Sequence, residues 1–225
     1  MKKLFLITAI MSLMLMAVVF AASEGGDEAE VTAVETRAQI AGTTGSVDVV
    51  AGNITVANLE SNRSTYRWAA LIGNASGNIL LGDDFSNILH TWTATAVVVY
   101  ASEAASVTWG SLVAATDTNM PAYLTDADSD NYSLTFDTTG TGLSSGVTAI
   151  AALTPDTAFT YNSAGADTWE TNALYDGSAT VFAVDVSANG DSYAGDTVDY
   201  QLLVPEDGTS GNAVATTYNV WLELR

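Results

Sequence analysis

Alternation of apolar and polar positions is clearest over residues 65–100, TYRWAALIGNASGNILLGDDFSNILHTWTATAVVVY. Tyr66, Trp68, Ala70 and Ile72 fall on one face of a predicted strand, and Thr65, Arg67, Ala69 and Leu71 on the other. Gly73-Asn-Ala-Ser-Gly77 supplies glycine for positive φ and Asn and Ser for local backbone hydrogen bonds, which is hairpin-loop chemistry. Residues 78–81 return, 82–87 (GDDFSN) turn again, and Ile88, His90, Trp92, Ala94, Ala96, Val98 and Tyr100 then alternate along a long β-branched, aromatic-rich strand. Such a meander predicts a sheet with one buried face that a second sheet must cover.

The same pattern recurs elsewhere. Thr32, Val34, Thr36, Ala38 and Ile40 alternate with Ala33, Glu35, Arg37 and Gln39, a strand over 31–40, and Gly42 to Gly45 interrupt it. The runs 47–51 and 54–59 flank Gly52-Asn53, a two-residue hairpin signal. Thr108 is placed to cap a short helix through Trp109, Leu112 and Val113, and residues 121–124 to make one further turn. Tyr132, Leu134 and Phe136 predict a half-buried strand. Residues 147–153 are an apolar run and 157–161 a short strand, whereas 162–177 show no clear period and read as loop with Trp169 and Leu174 tucked in. Three strands close the pattern, on Phe182, Val184 and Val186, on Val198, Tyr200, Leu202 and Val204, and on Val214, Tyr218, Val220, Leu222 and Leu224.

The expectation is an all-β fold, an antiparallel β-sandwich of about 11–13 strands with one or two short helical insertions. Trp68, Trp92, Tyr200, Leu202, Val220 and Leu222 are its expected core. Trp221 shares its face with Asn219 and Glu223 and is expected outside.

The first residues add a compartment. Lys2 and Lys3 precede an apolar run over 4–20, and Val19-Phe20-Ala21 is a small-residue cleavage site, so 1–21 reads as a secretory signal peptide. The rival reading keeps that run as a membrane anchor, the one membrane contact expected. Residues 22–30 then form a flexible acidic tail, and 31–225 a single sandwich domain. With no cysteine there are no disulfides, which a chain of this length does not need to fold.

Charge excludes some partners. Twenty-six acidic against six basic residues give −20, a surface that repels nucleic acid and anionic lipid. Inventory excludes some chemistry. The single histidine, His90, sits mid-strand without a strained Gly-x-Ser-x-Gly turn, so no catalytic residues are assigned. Glu170 beside Trp169 is the nearest approach to a glycosidase carboxylate, and it has no local signature.

Calcium is the sharper possibility. Asp126, Asp128 and Asp130 occupy positions one, three and five of a loop, the Tyr132 carbonyl position seven and Asp137 position twelve, so that alternate oxygens point at one centre. Asn131 replaces the usual Gly and Asp137 the usual bidentate Glu. Asp191, Asp196 and Asp199 form a second, weaker cluster. Four Asn-x-Ser/Thr sequons, at Asn53, Asn62, Asn74 and Asn131, are glycosylation acceptors on an exported chain. Exposed tryptophan would instead suit stacking on a carbohydrate.

W-x-x-x-x-G-N-x-S-G-x-I-x-L (Trp68 to Leu81) and D-x-V-D-Y-Q-L-L-V-P (Asp196 to Pro205), with the aromatic closing strand, resemble an uncharacterised group of secreted archaeal β-rich surface proteins. The resemblance implies a surface location and no catalytic activity. The expected function is therefore an exported, non-enzymatic cell-surface or extracellular structural protein. It would assemble with itself or other surface proteins, the 31–40 strand either pairing within its own sheet or being donated to a neighbour's open edge. The alternative is a carbohydrate- or surface-ligand-binding module, calcium-stabilised.

Overall fold

The computed structural model describes residues 25–37, 46–61, 63–143, 154–208 and 215–225. The signal segment, Ala38 to Ile40 with the glycine break, Asn62, the 147–153 run and Val214 lie outside the described residues. The strands are, in chain order, β1 (Asp27–Glu28), β2 (Trp68–Gly73), β3 (Gly77–Gly82), β4 (Ile88–Ala94) and β5 (Ala96–Ser102). Next come β6 (Val113–Ala114), β7 (Thr138–Thr139), β8 (Asp156–Tyr161), β9 (Asp167–Tyr175) and β10 (Thr180–Asp185). The remaining four are β11 (Gly190–Asp191), β12 (Thr197–Val198), β13 (Tyr200–Pro205) and β14 (Asn219–Leu224). Among the described residues helix is confined to one turn, α1 (Tyr132–Thr135), and three 3-10 turns in the insertion after β5.

All pairings are antiparallel. An eight-stranded sheet has the order β1-β14-β5-β10-β9-β8-β7, with β6 also on β9, and the β2–β13 pair lies across β8, β9 and β10 as a second layer. The all-β, sandwich-like class read from the alternation is the class observed.

Central strands are covered on both faces. Val99, Ala101, Phe182, Val184, Trp169 and Ala173 point into the core under β2–β13, where Leu202 and Val204 meet them. Their neighbours Val98, Tyr100, Val181, Ala183 and Leu174 point the other way, into a second core closed by Leu112, Leu143, Trp109 and Trp221. A strand buried on both sides has no polar face to alternate with. That is why β9, at nine residues the longest strand among the described residues, reads as loop in the sequence.

The outer core is mostly aromatic. Trp109 meets Tyr100 and Trp221 edge-on, at 5.0 and 5.9 Å between centroids. The backbone at Gly25 and Gly26 presses so closely on Trp109 and Trp221 that a Cβ at Gly26 would come within 2.7 Å of Trp221 Cβ. Asp27 and Glu28, expected in a free tail, pair with Leu222 and Trp221 of β14. Trp221, expected outside, is buried, and Glu223 beside it accepts a 2.9 Å hydrogen bond from the fully buried Tyr100 hydroxyl. Burial, with that carboxylate, raises the Tyr100 phenol well above its usual pKa.

The 132–136 stretch is helical rather than extended. Asn131 caps it, its Oδ1 accepting from the Leu134 N–H at 2.9 Å. A helical turn brings residues four apart together, so Tyr132 and Phe136 stack at 5.1 Å in the core while Leu134 faces solvent. Phe136 in turn lies against Phe182 and the half-buried Trp68.

Candidate functional site

β4 and β5 are nearly one strand broken at Thr95, and two partners share one edge of it. β14 pairs with the β5 half and ends where Thr95 and Arg225 exchange backbone hydrogen bonds of 2.6 and 2.9 Å. β3 then takes over along β4, from Gly77 opposite Ala94 to Gly82 opposite Ile88. Beyond the sandwich the β3–β4 ribbon has no further strand on either edge among the described residues. Its turn is well made: Asp83 accepts from the backbone N–H groups of Phe85 and Asn87 and from the Asn87 amide, which holds its carboxyl below the usual range.

What the ribbon lacks is cover. Ile79 sits opposite Trp92 and Leu81 opposite His90 on one face, with Leu80 opposite Thr91 on the other. All of these apolar side chains are exposed, Trp92 at 47% and Phe85 at the turn at 81%. The expectation that Trp92 shares a core with Trp68 is thus overturned, and so is the three-strand meander: β2 pairs with β13 rather than with β3, and only the β3–β4 hairpin forms, standing clear of the body. Two-stranded ribbons are marginal alone in water, so an uncovered one with apolar sides is unusual.

A second stretch is equally bare. Residues 46–61 form no strand and are exposed throughout, Ile54 at 95% and Leu59 at 90%. The expected turn is present, the Asn53 N–H reaching the Val50 carbonyl at 3.1 Å with Gly52 at φ +87°, where a side chain would be strained. The ladder expected beside it is not. Residues 31–37 likewise carry no strand, and Arg37 turns back to Asp196 at 2.9 Å. The chain is fastened just before β2, where Thr65 donates to Asp130 at 2.7 Å and the Tyr66 and Arg67 carbonyls accept from Gly208 and Glu206.

The 126–130 loop is built round an arginine. Arg67 makes a two-pronged contact with Asp126 at 2.6 and 2.8 Å, touches Asp128, and lies 3.4 Å from Asp130. The Asp126 bond dominates in raising the guanidinium pKa and in lowering that of Asp126. Of the five residues expected to hold calcium, the structure gathers these three. The Tyr132 carbonyl is taken by the Phe136 N–H at 2.8 Å, and Asp137 lies past α1 beside Thr138. Among the described residues no group of three or more His, Cys, Asp or Glu is arranged to hold a metal. A cation entering here competes with Arg67. Arg67→Met should lower the melting temperature by several degrees, and millimolar calcium should recover part of that loss while leaving the native value unchanged. A variant melting like the native protein would show that the arginine does not hold the loop.

No protein-family model, curated protein or solved structure matches this chain.

The other candidates are weaker in geometry. Glu170 and Asp185 line one cavity of about 180 Å³ with Asn172 and Ser187, smaller than the ~300–1,000 Å³ of ligand pockets. Trp169, beside it, is buried and donates its indole N–H to the Asp191 carbonyl at 2.9 Å, so its ring offers no sugar a face. Asp191, Asp196 and Asp199 are spent on different partners: Ser163, Arg37, and the N–H groups of Ala75 and Asn189. Asn53 and Asn74 are exposed at turns, as glycosylation requires, whereas the Asn131 amide nitrogen donates to the Asp126 carbonyl at 2.8 Å. His90 contacts the Trp92 ring edge-on at 4.5 Å.

Proposed function

We propose that this protein is an exported, non-enzymatic structural protein of the cell surface or extracellular space, assembling with copies of itself through the stretch that precedes β2. The observation that carries the reading is residues 46–61: exposed, rich in apolar side chains and without a sheet partner among the described residues. Unpaired extended chain adds readily to another sheet, where main-chain hydrogen bonds give affinity and alternate side chains give fit. The signal-like first residues and the resemblance to secreted surface proteins support the location.

Deleting residues 46–61, which leaves β1 and its contacts in place, tests it. The truncated protein should keep its β-sheet circular dichroism and sediment as a monomer at concentrations where the native protein forms polymers visible by electron microscopy. Polymers from the truncated protein, or a native protein that stays monomeric at every concentration, would overturn the proposal. A second reading, a carbohydrate- or surface-ligand-binding module, draws its support from Trp92, whose half-exposed ring is free to stack. Retention of a monomeric native protein on glycan resins would favour it.

A further inference from the structure

We infer that the β3–β4 ribbon is the acceptor for residues 46–59 of a second copy of this chain, an inference that rests on the self-assembly reading above.

The ribbon needs a partner on physical grounds. Seven large apolar side chains between Ile79 and Trp92 are from 46 to 81% exposed. At roughly 150–250 Å² for a large side chain, they present on the order of 700 Å² to water. The area is divided between the two faces of the ribbon, with Ile79, Leu81 and Trp92 on one and Leu80 on the other, so each face carries a patch of the few-hundred-Å² size that often marks a contact site. Among the described residues the edge of β4 away from β3 is also open, because β10 ends at Asp185 and the next bond on that side is Val186 N–H to Val97 carbonyl.

Charge narrows the partner. The chain carries −20, so copies repel one another except where both surfaces are uncharged. β3 and β4 contain no charged residue, and 46–59 contain only Asp48. Val47 and Val49 share one side of that stretch, and Ile54 and Val56 likewise alternate with polar or small neighbours, which suits a strand laid on an apolar face. Each of the two bare elements offers what the other lacks.

Residues 46–61 are exposed throughout and do not pair with the ribbon of their own chain, so the pairing is between copies, and position gives it a direction. The stretch leaves the body at the Trp68 end of β2, where Thr65 to Arg67 are fastened, and the ribbon starts after the Gly73 end, roughly 20 Å of strand away. Donor and acceptor on opposite ends of one element give a head-to-tail contact, which propagates as a filament unless it closes to a ring.

Two full-chain variants test the pairing. A donor variant carries Ile54→Asp and Val56→Asp; an acceptor variant carries Ile79→Asp and Trp92→Asp. All four positions are exposed, so both variants should fold. Each alone should sediment as a monomer where the native protein polymerises. Mixed in equal amounts they should form a one-to-one dimer and nothing larger, because one intact ribbon then meets one intact donor stretch. Self-association of the donor variant alone would mean that ribbons pair with ribbons, and would overturn the inference. Polymers from the acceptor variant would overturn it while leaving the self-assembly reading intact. A native protein that is monomeric throughout would remove both.

Discussion

Phe182→Ala should destabilise the folded protein by about 3–5 kcal/mol, the usual cost of deleting a buried aromatic ring and leaving its cavity. Val181→Ala, one residue earlier and on the opposite face of β10, should cost about 2 kcal/mol from its lost carbons alone. Both side chains are inaccessible to water. Phe182 fills the core under β2–β13 against Phe136, and Val181 the core closed by Trp109 and Trp221. An ordinary half-solvated strand would show the loss at one of two adjacent positions and near-neutrality at the other. Leu80→Ala on the ribbon provides the contrast, with a change within about 0.5 kcal/mol in a dilute monomer, since its side chain already faces water. Chemical denaturation of the three variants checks the pattern. A neutral Val181→Ala would mean that the Trp109 cover does not form.

Where a face is solvated, alternation locates a strand; where it is not, the signal vanishes. Turn chemistry at 82–87 locates the β3–β4 hairpin, and Tyr200, Leu202 and Val204 locate β13, but no local pattern shows that β2 pairs with β13 and not with β3. β9 escaped because Trp169, Ala173 and Leu174 divide between two cores. Trp221 reads as outward for the same reason, since its neighbour Glu223 is buried with the Tyr100 hydroxyl across on β5 as a partner. Tyr132 and Phe136 fit both a two-residue and a four-residue period, and the Asn131 cap was the local signal that distinguishes them. The aspartates of the 126–130 loop were visible, but Arg67, some sixty residues earlier, was not, because an ion pair leaves no spacing rule in the chain. Nor does any pattern reveal that Ile79 and Trp92 face water rather than a core: apolar positions waiting for a partner read like apolar positions already covered.

Asp176→Ala should cost about 2–4 kcal/mol at neutral pH, because one buried carboxylate holds the outer core's cover to the sheet. Asp176 is only 4% exposed. It accepts from the N–H groups of Ser178 and Ala179 and the Ser178 hydroxyl at 2.8 Å each, closing the β9–β10 turn through Gly177 at φ +96°. Its second oxygen accepts from the Thr108 N–H at 3.1 Å, immediately before the turn that carries Trp109. Burial pushes the carboxyl's pKa up, but the backbone donors, Ala179 first and then Thr108, outweigh it and hold it below the usual value. A carboxylate with a depressed folded pKa contributes stability that is present above its unfolded value near ~3.9 and lost as pH falls through the folded one. The gap between native and Asp176→Ala should therefore be widest from pH 5 upward and narrow progressively below about pH 4. Asp176→Asn, which keeps an acceptor oxygen but no charge, should fall between them, its own position contributing no pH dependence. Denaturant midpoints from pH 3 to 7 measure all three. A gap that stays constant into acid would assign the loss to packing rather than to the charge, and an unchanged midpoint at pH 7 would mean that Thr108 and its loop are held by Trp109 alone.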